Sequence, residues 1–182
     1  GGIRVPFFVN WPGVVEPGIT SETPIIGVDL FPTFCEMLDA EPPAEQTLDG
    51  VSLVPLLKNG GESELEERAL FWHFPAYLQS YGVKDYSEQR DPLFRARPCS
   101  VIRKGRWKLL QFFEKGDFEL YDLVADPGET KNLIAEEPKV TSKMKAELEA
   151  WQKESGADLP SGPNPEFDPV AEAKAIGQKL GG

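Results

Sequence analysis

His73 is the only histidine among 182 residues, and it stands in ALFWHFPAY (69–77) between Trp72 and Phe74, just before a proline. An aromatic-walled histidine beside a proline turn looks like the lip of a site. The plainer account is a packed strand histidine that makes one hydrogen bond. A second group is cationic. The stretch 78–98 carries Lys84, Arg90, Arg95 and Arg97 against Asp85, Glu88 and Asp91, so it is slightly basic inside a chain of net charge −11. Guanidinium forks match tetrahedral oxyanions, which makes Arg95 and Arg97 candidate anion donors. The alternative is an ordinary solvated loop laced with surface ion pairs. A third group, Asp126, Glu129 and Asn132, places oxygens close in sequence, as a hard cation requires. Its spacing fits no calcium-loop pattern, and turn and helix-start duties account for the same residues.

Several elements must hold these groups. Val5–Val9, closed by Trp11-Pro12-Gly13, reads as a buried strand. Asp29 can cap a helix with Pro32 in its first turn, and Leu30, Phe31, Phe34, Cys35 and Leu38 then recur at helical spacing until Glu41-Pro42-Pro43 stops the run. Leu48-Asp49-Gly50 makes a turn before the apolar stretch 51–57. Residues 58–68, with Gly60-Gly61 and four glutamates, read as an exposed connection, and Ala69–Phe74 as a strand. From Pro98 onward the pattern is a meander. Strands at Cys99–Arg103, Arg106–Phe113 and Phe118–Leu123 are separated by turns at Lys104-Gly105 and around Gly116, and Ala125-Asp126-Pro127-Gly128 closes the set. Val140, Met144, Leu148 and Trp151 form one stripe of an amphipathic helix that Gly156 ends. Lys143/Glu147 and Glu149/Lys153 are spaced to pair on its wet side. One apolar helix face and one apolar sheet face should pack together. Residues 157–182, with four prolines and a Gly-Gly end, read as a loose tail.

Composition narrows the classes. Hydrophobic residues make up 40% and charged residues 27%, a folded rather than a disordered profile. A net charge of −11 excludes a general nucleic-acid binder, which needs clustered Lys and Arg. No apolar run approaches the length of a membrane span, and the chain opens without a basic-then-apolar leader segment. Its opening at Gly1-Gly2, directly before an apolar strand candidate, implies a start in mid-fold. Cys35 and Cys99 are expected to be two buried free thiols rather than a disulfide.

Six phrases together resemble the C-terminal part of a sulfatase, the alkaline-phosphatase-like family that hydrolyses sulfate esters. They are GGIRVPFFVNWPG (1–13), VDLFPTF (28–34), LDGVSLVPLL (48–57), ALFWHFP (69–75), SVIRKGRWKLL (100–110) and ELYDLVADPGETKNL (119–133). They stand in the family's order and spacing and cover nearly the whole chain. The resemblance implies that residues 1–75 close a catalytic α/β domain of alkaline-phosphatase-like fold. Residues 76–98 would be a loop at the substrate rim, and 99–156 a small α+β subdomain, an antiparallel sheet packed by a helix. Residues 157–182 would be the tail.

The resemblance also implies machinery, and this sequence does not contain it. The family uses a formylglycine made from the Cys or Ser of a Cys/Ser-x-Pro-x-Arg motif, together with Ca²⁺ held by Asp and Asn oxygens, for covalent, metal-assisted cleavage. Cys99-Ser100-Val101-Ile102-Arg103 has the cysteine and arginine but Val101 in place of proline, and it falls on a meander strand. Cys35 has Met37 and Asp39 at the matching offsets, and Ser161-Gly162-Pro163-Asn164-Pro165 lacks the arginine. No catalytic residue and no metal ligand is therefore assigned within the chain. What the resemblance leaves for substrate is a rim role for His73, Arg95 and Arg97 toward a sulfated small molecule or glycan. Relatives often read HFPHY where this chain has Ala76, so a histidine pair is not carried over. Arg4 is expected to ion-pair at a strand start, Lys104 and Arg106 to be solvated, and Trp107 and Trp151 to be core. Two other classes stay open: a non-catalytic module that binds sulfated glycans, and a fragment of a related phosphoester hydrolase. A periplasmic or secreted parent follows from the resemblance alone, and oligomeric state from nothing in the sequence.

Overall fold

The computed structural model describes residues 2–60, 64–79, 91–162 and 164–180. Gly61 and Glu62 of the connection, Lys84, Asp85, Glu88 and Arg90 of the basic loop, and Pro163 of the tail fall outside them. The chain divides into two units, ending and beginning at Leu70 and Phe71.

The first unit is organised by one carboxylate. A short 3-10 turn at Gly27–Asp29 runs into helix α1 (Leu30–Met37), and helix α2 (Val54–Lys58) follows with Pro55 in its first turn. Asp29 occupies the cap position of α1, but its side chain does not cap. It turns back to accept the backbone N–H of Ile26 (2.9 Å) and of Val51 (3.1 Å), and it pairs with Arg68, whose Nη1 donates to Oδ1 at 2.8 Å. Thr33 Oγ1 extends the network, donating to the Asp29 carbonyl (2.6 Å) and accepting from Leu53 N–H (2.9 Å). The side chain of Asp29 is fully buried, so each of these bonds replaces water that it has lost. Gly50 lies so close to the Val28 carbonyl that a Cβ there would fall inside van der Waals contact with backbone. That is the physical reason the turn before Val51 reads Leu-Asp-Gly. Leu53, Val54 and Leu56 are buried beside this network.

Besides the Asp29 cap, two expectations fail in this unit. Val5–Val9 is neither a strand nor buried: Ile3, Val5, Phe7, Phe8 and Val9 are exposed, Phe8 by 88%. A strand exists only through a neighbour's hydrogen bonds, and among the described residues none pairs with it. Helix α1 turns Thr33 inward and leaves Phe31, Phe34 and Leu38 exposed, so the polar contact with the Asp29 network decides which face is buried. Arg4 does pair, with Glu22 at 3.5 Å, but between two exposed side chains, where such pairs contribute little.

The second unit follows the meander. Strand β1 (Ala69–Phe74), begun at the end of the first unit, joins β4 (Cys99–Lys104), β5 (Trp107–Phe112) and β6 (Phe118–Asp122) in a four-stranded sheet of order β1-β4-β5-β6. A two-stranded ribbon, β2 (Leu78–Gln79) and β3 (Phe94–Ala96), is antiparallel. Register sets Ile102 opposite Leu109 and Leu109 opposite Leu120, three side chains in one row, all fully buried. Helix α3 (Pro138–Ser155) packs on β4 and β5, burying Met144 and Leu148. Trp151 stacks flat on Phe71 at 4.9 Å, and Gln152 donates to Gln111 at 2.8 Å. Gly156 ends the helix at φ +65°, where a side chain would be strained.

Four readings are corrected here. Glu147 pairs with Lys104 across to the sheet (2.8 Å), and Glu149 faces Lys145 (3.9 Å), not the expected partners. Lys104 and Arg106 are not merely solvated: Lys104 holds Glu147, and the Arg106 guanidinium grips Asp122, itself bonded to the N–H groups of Val124 and Ala125. The cysteines are free but only half-buried. The tail is not loose throughout, since helix α4 (Pro169–Leu180) forms behind Asp168, whose carboxylate accepts the N–H groups of Val170 and Ala171. None of the helices in the described residues is long and apolar enough to cross a membrane.

Folding lowers the Asp29 pKa from 3.8. Burial opposes ionisation, and the Arg68 bond with the two backbone N–H groups overcomes it. The stabilisation is therefore complete above that pH and is lost as pH falls through the lower folded value. Asp29→Asn should remove this acid dependence and cost about 3 kcal/mol at neutral pH, as unpairing a buried Arg does. Urea unfolding as a function of pH checks both; an unchanged midpoint would refute the hub.

Candidate functional site

The sheet brings two of the three candidate residues to one turn. His73 lies on β1, with its ring tilted against Phe113 at 5.7 Å. Its Nδ1 is 2.7 Å from Ser100 Oγ and its Nε2 is 3.2 Å from the Asp158 carbonyl oxygen. Ser100 shares a face of β4 with Ile102 by the two-residue period. His73 therefore stands on the side covered by α3, past whose end Asp158 follows. Arg97, just after β3, pairs with Glu114, the residue next to Phe113, and also with Asp91. Tyr77 completes the group: its hydroxyl donates to Glu114 at 2.6 Å and its ring leans on Phe94 at 4.7 Å. The turn after β5 thus carries an aromatic contact to His73 and a carboxylate shared by Arg97 and Tyr77. Arg95 is exposed on β3.

Electrostatics follow from this chain of contacts. Asp91 is buried, which alone would raise its pKa, but the Phe94 and Leu93 N–H groups (2.9 and 2.8 Å) and Arg97 hold it below the usual carboxylate range. Arg97 is raised: burial works against its charge, and the bonds to Asp91 and Glu114 outweigh it. Burial, then the Glu114 hydrogen bond and charge, push the Tyr77 hydroxyl up to about 12. Both groups are locked in a proton-rich state. The arrangement can bind and orient an anion or a sugar hydroxyl. Burial pushes the Cys99 thiol up, away from a reactive thiolate.

The oxygen-bearing trio is divided among structural partners. Asp126 accepts the N–H groups of Thr130 (2.7 Å) and Lys131 (2.8 Å), and Asn132 accepts those of Leu120 (3.0 Å) and Ile134 (3.1 Å). Glu129 pairs with the buried Lys108 at 2.6 Å. The three side chains thus hold different parts of the turn and the strand beside it. The described residues contain no group of three or more His, Cys, Asp or Glu side chains able to hold a metal. Lys108, Arg68, Tyr77 and Glu114 were not singled out by the sequence. A lysine in an alternating strand and a glutamate in a turn look solvated, and only the register reveals their partners.

The model of the N-sulphoglucosamine sulphohydrolase C-terminal family matches residues 1–154. This chain belongs to that family. A sulfatase of Formosa agariphila is 34% identical over 164 residues, covering 83% of this chain and 27% of the relative. An N-acetylglucosamine-6-O-sulfatase of Bacteroides thetaiotaomicron is 30% identical over 155 residues, covering 83% and 25%. The chain spans about a quarter of the length of these relatives. Among solved structures, that of BT4656 with its substrate D-glucosamine-2-N,6-O-disulfate superposes with a TM-score of 0.63 at 26% identity, covering 84% of this chain and 29% of that one. The sulfatase resemblance read from the six phrases is thereby established for this C-terminal portion.

Glu114→Gln removes the hydrogen-bonded negative charge beside Tyr77, so the tyrosine pKa should fall part-way from about 12 toward 10.0. Phenolate absorbance titration, with Tyr77→Phe identifying the step, measures it. No change would break the Tyr77–Glu114–Arg97 chain.

Proposed function

We propose that this chain is the C-terminal part of a sulfuric ester hydrolase acting on sulfated carbohydrate, and that it completes the fold and forms one wall of the substrate rim. The observation that carries the reading is the convergence of His73 and Arg97 on the Phe113–Glu114 turn, in a family with a relative solved with a disulfated glucosamine. His73 offers a ring N–H to a sulfate or sugar oxygen, and Arg95 adds positive charge. Arg97 reaches the rim with its charge shared between Asp91 and Glu114, so it steers an anion more than it clamps one.

On this reading, the formylglycine nucleophile and the Ca²⁺ are supplied by polypeptide other than residues 1–182. The sequence contains no Cys/Ser-x-Pro-x-Arg motif, and the oxygens that could hold a cation are engaged elsewhere. The parent enzyme would be periplasmic or secreted. The exposed Phe8, Phe34 and Leu38 suit a surface that a larger catalytic domain covers.

Purified residues 1–182 should show no turnover of an aryl sulfate with or without added Ca²⁺. They should bind a glucosamine disulfate weakly and in a salt-sensitive way, with His73→Ala costing roughly tenfold, the worth of one charge-assisted hydrogen bond. Turnover by the chain alone, surviving repurification, overturns the assignment of chemistry elsewhere. Binding unaffected by His73→Ala overturns the rim.

A further inference from the structure

The two bonds of the His73 ring fix where its proton resides. A backbone carbonyl can only accept, so the 3.2 Å contact between Nε2 and the Asp158 oxygen puts a hydrogen on Nε2. In the neutral ring Nδ1 then carries the lone pair, and the fully buried Ser100 hydroxyl, 2.7 Å away, donates to it. The neutral ring has one N–H, and the chain's own tail uses it. The tail is led there by a specific device. Gly156 turns at φ +65°, and Ala157 N–H returns to the Gln152 carbonyl at 2.9 Å, which leaves Asp158 one residue further on. Beyond that point Leu159 is exposed and α4 buries no residue.

We infer that the Asp158 carbonyl occupies the place of a substrate oxyanion oxygen on His73, making residues 157–160 a self-inhibiting strap that sulfate must displace. This rests on the rim role proposed above and adds its regulation. An oxyanion needs the same Nε2–H that the carbonyl takes, so the two exclude each other. Ser100 is the positioning residue of the pair, because its hydroxyl on Nδ1 keeps the proton on the outward nitrogen. The residue supplying the carbonyl is itself an aspartate, so while the strap is down the residue that takes the donor also carries a charge of the ligand's sign.

His73 is the only histidine, so its ring gives a single, unambiguous set of ¹⁵N–¹H correlations. Three chains are compared: the full chain, the full-length Gly156→Val, whose branched side chain cannot keep the positive φ, and a chain stopped after Gly156. The full chain should show the Nε2–H tautomer. Titrated with inorganic sulfate, both variants should bind about two- to tenfold more tightly than the full chain, the range that competition from one hydrogen bond allows. An Nδ1–H tautomer in the full chain, or equal sulfate affinity in all three, overturns the strap. If none of the chains responds to sulfate, the ligand assignment fails together with the rim reading. Solvent exchange of Nε2–H separates that failure from failure of the strap, which requires faster exchange in both variants.

Discussion

The C-terminal unit depends on one row of side chains. Ile102, Leu109 and Leu120 stand opposite one another across three strands, and Met144 and Leu148 of α3 close over that side of the sheet. Because the side-chain period of a strand is two, fixing this row fixes everything else on both faces. Ser100, one period from Ile102, must then lie under the helix side, and His73 meets it there. Lys108 and Tyr121, one position off the row and opposite each other, must turn to the other face, where Glu129 meets the ammonium. A slip of one residue would carry the Lys108 ammonium under α3 and away from Glu129, and the row onto the opposite face. The apolar row therefore positions the polar site.

The first unit reaches order by a different route. Its small apolar core, around Leu53, Val54 and Leu56, is accompanied by a buried carboxylate that gathers a turn, a loop and an arginine. Breaking such a hub is costly because each partner would be left unsatisfied in a dry place. The hub gives up hydrophobic burial in exchange, since the same contacts that draw Thr33 inward leave aromatic side chains of α1 outside.

Much of this was legible in the chain of residues. Alternation and glycine turns placed the strands of the meander to within a residue or two, and the stripe Val140, Met144, Leu148, Trp151 with Gly156 placed α3. These signals are local and periodic. Val5–Val9 misled because an apolar run states a need for cover and says nothing about who provides it. The Asp29 hub was hidden because its partner lies 39 residues away, and an aspartate before a helix is ordinarily a cap. Helix α4 was missed although its signal was present: Asp168-Pro169 is a cap followed by a first-turn proline, obscured by the prolines around it. At the site, His73 drew notice by rarity alone. Tyr77 and Glu114 could not, because their meaning lies in a contact between residues 37 positions apart.

The buried ammonium of Lys108 and the carboxylate of Glu129 have a thermal consequence. Both ends are largely shut away from solvent, the glutamate on a residue held at φ +56°. Stripping water from two charges is most expensive in cold solution, and the expense shrinks on warming because hydration of ions is entropically unfavourable. The pair therefore contributes least in the refrigerator and most near the temperature at which the sheet melts. On its far side, the sheet carries a brace whose strength grows as heat begins to loosen the rest.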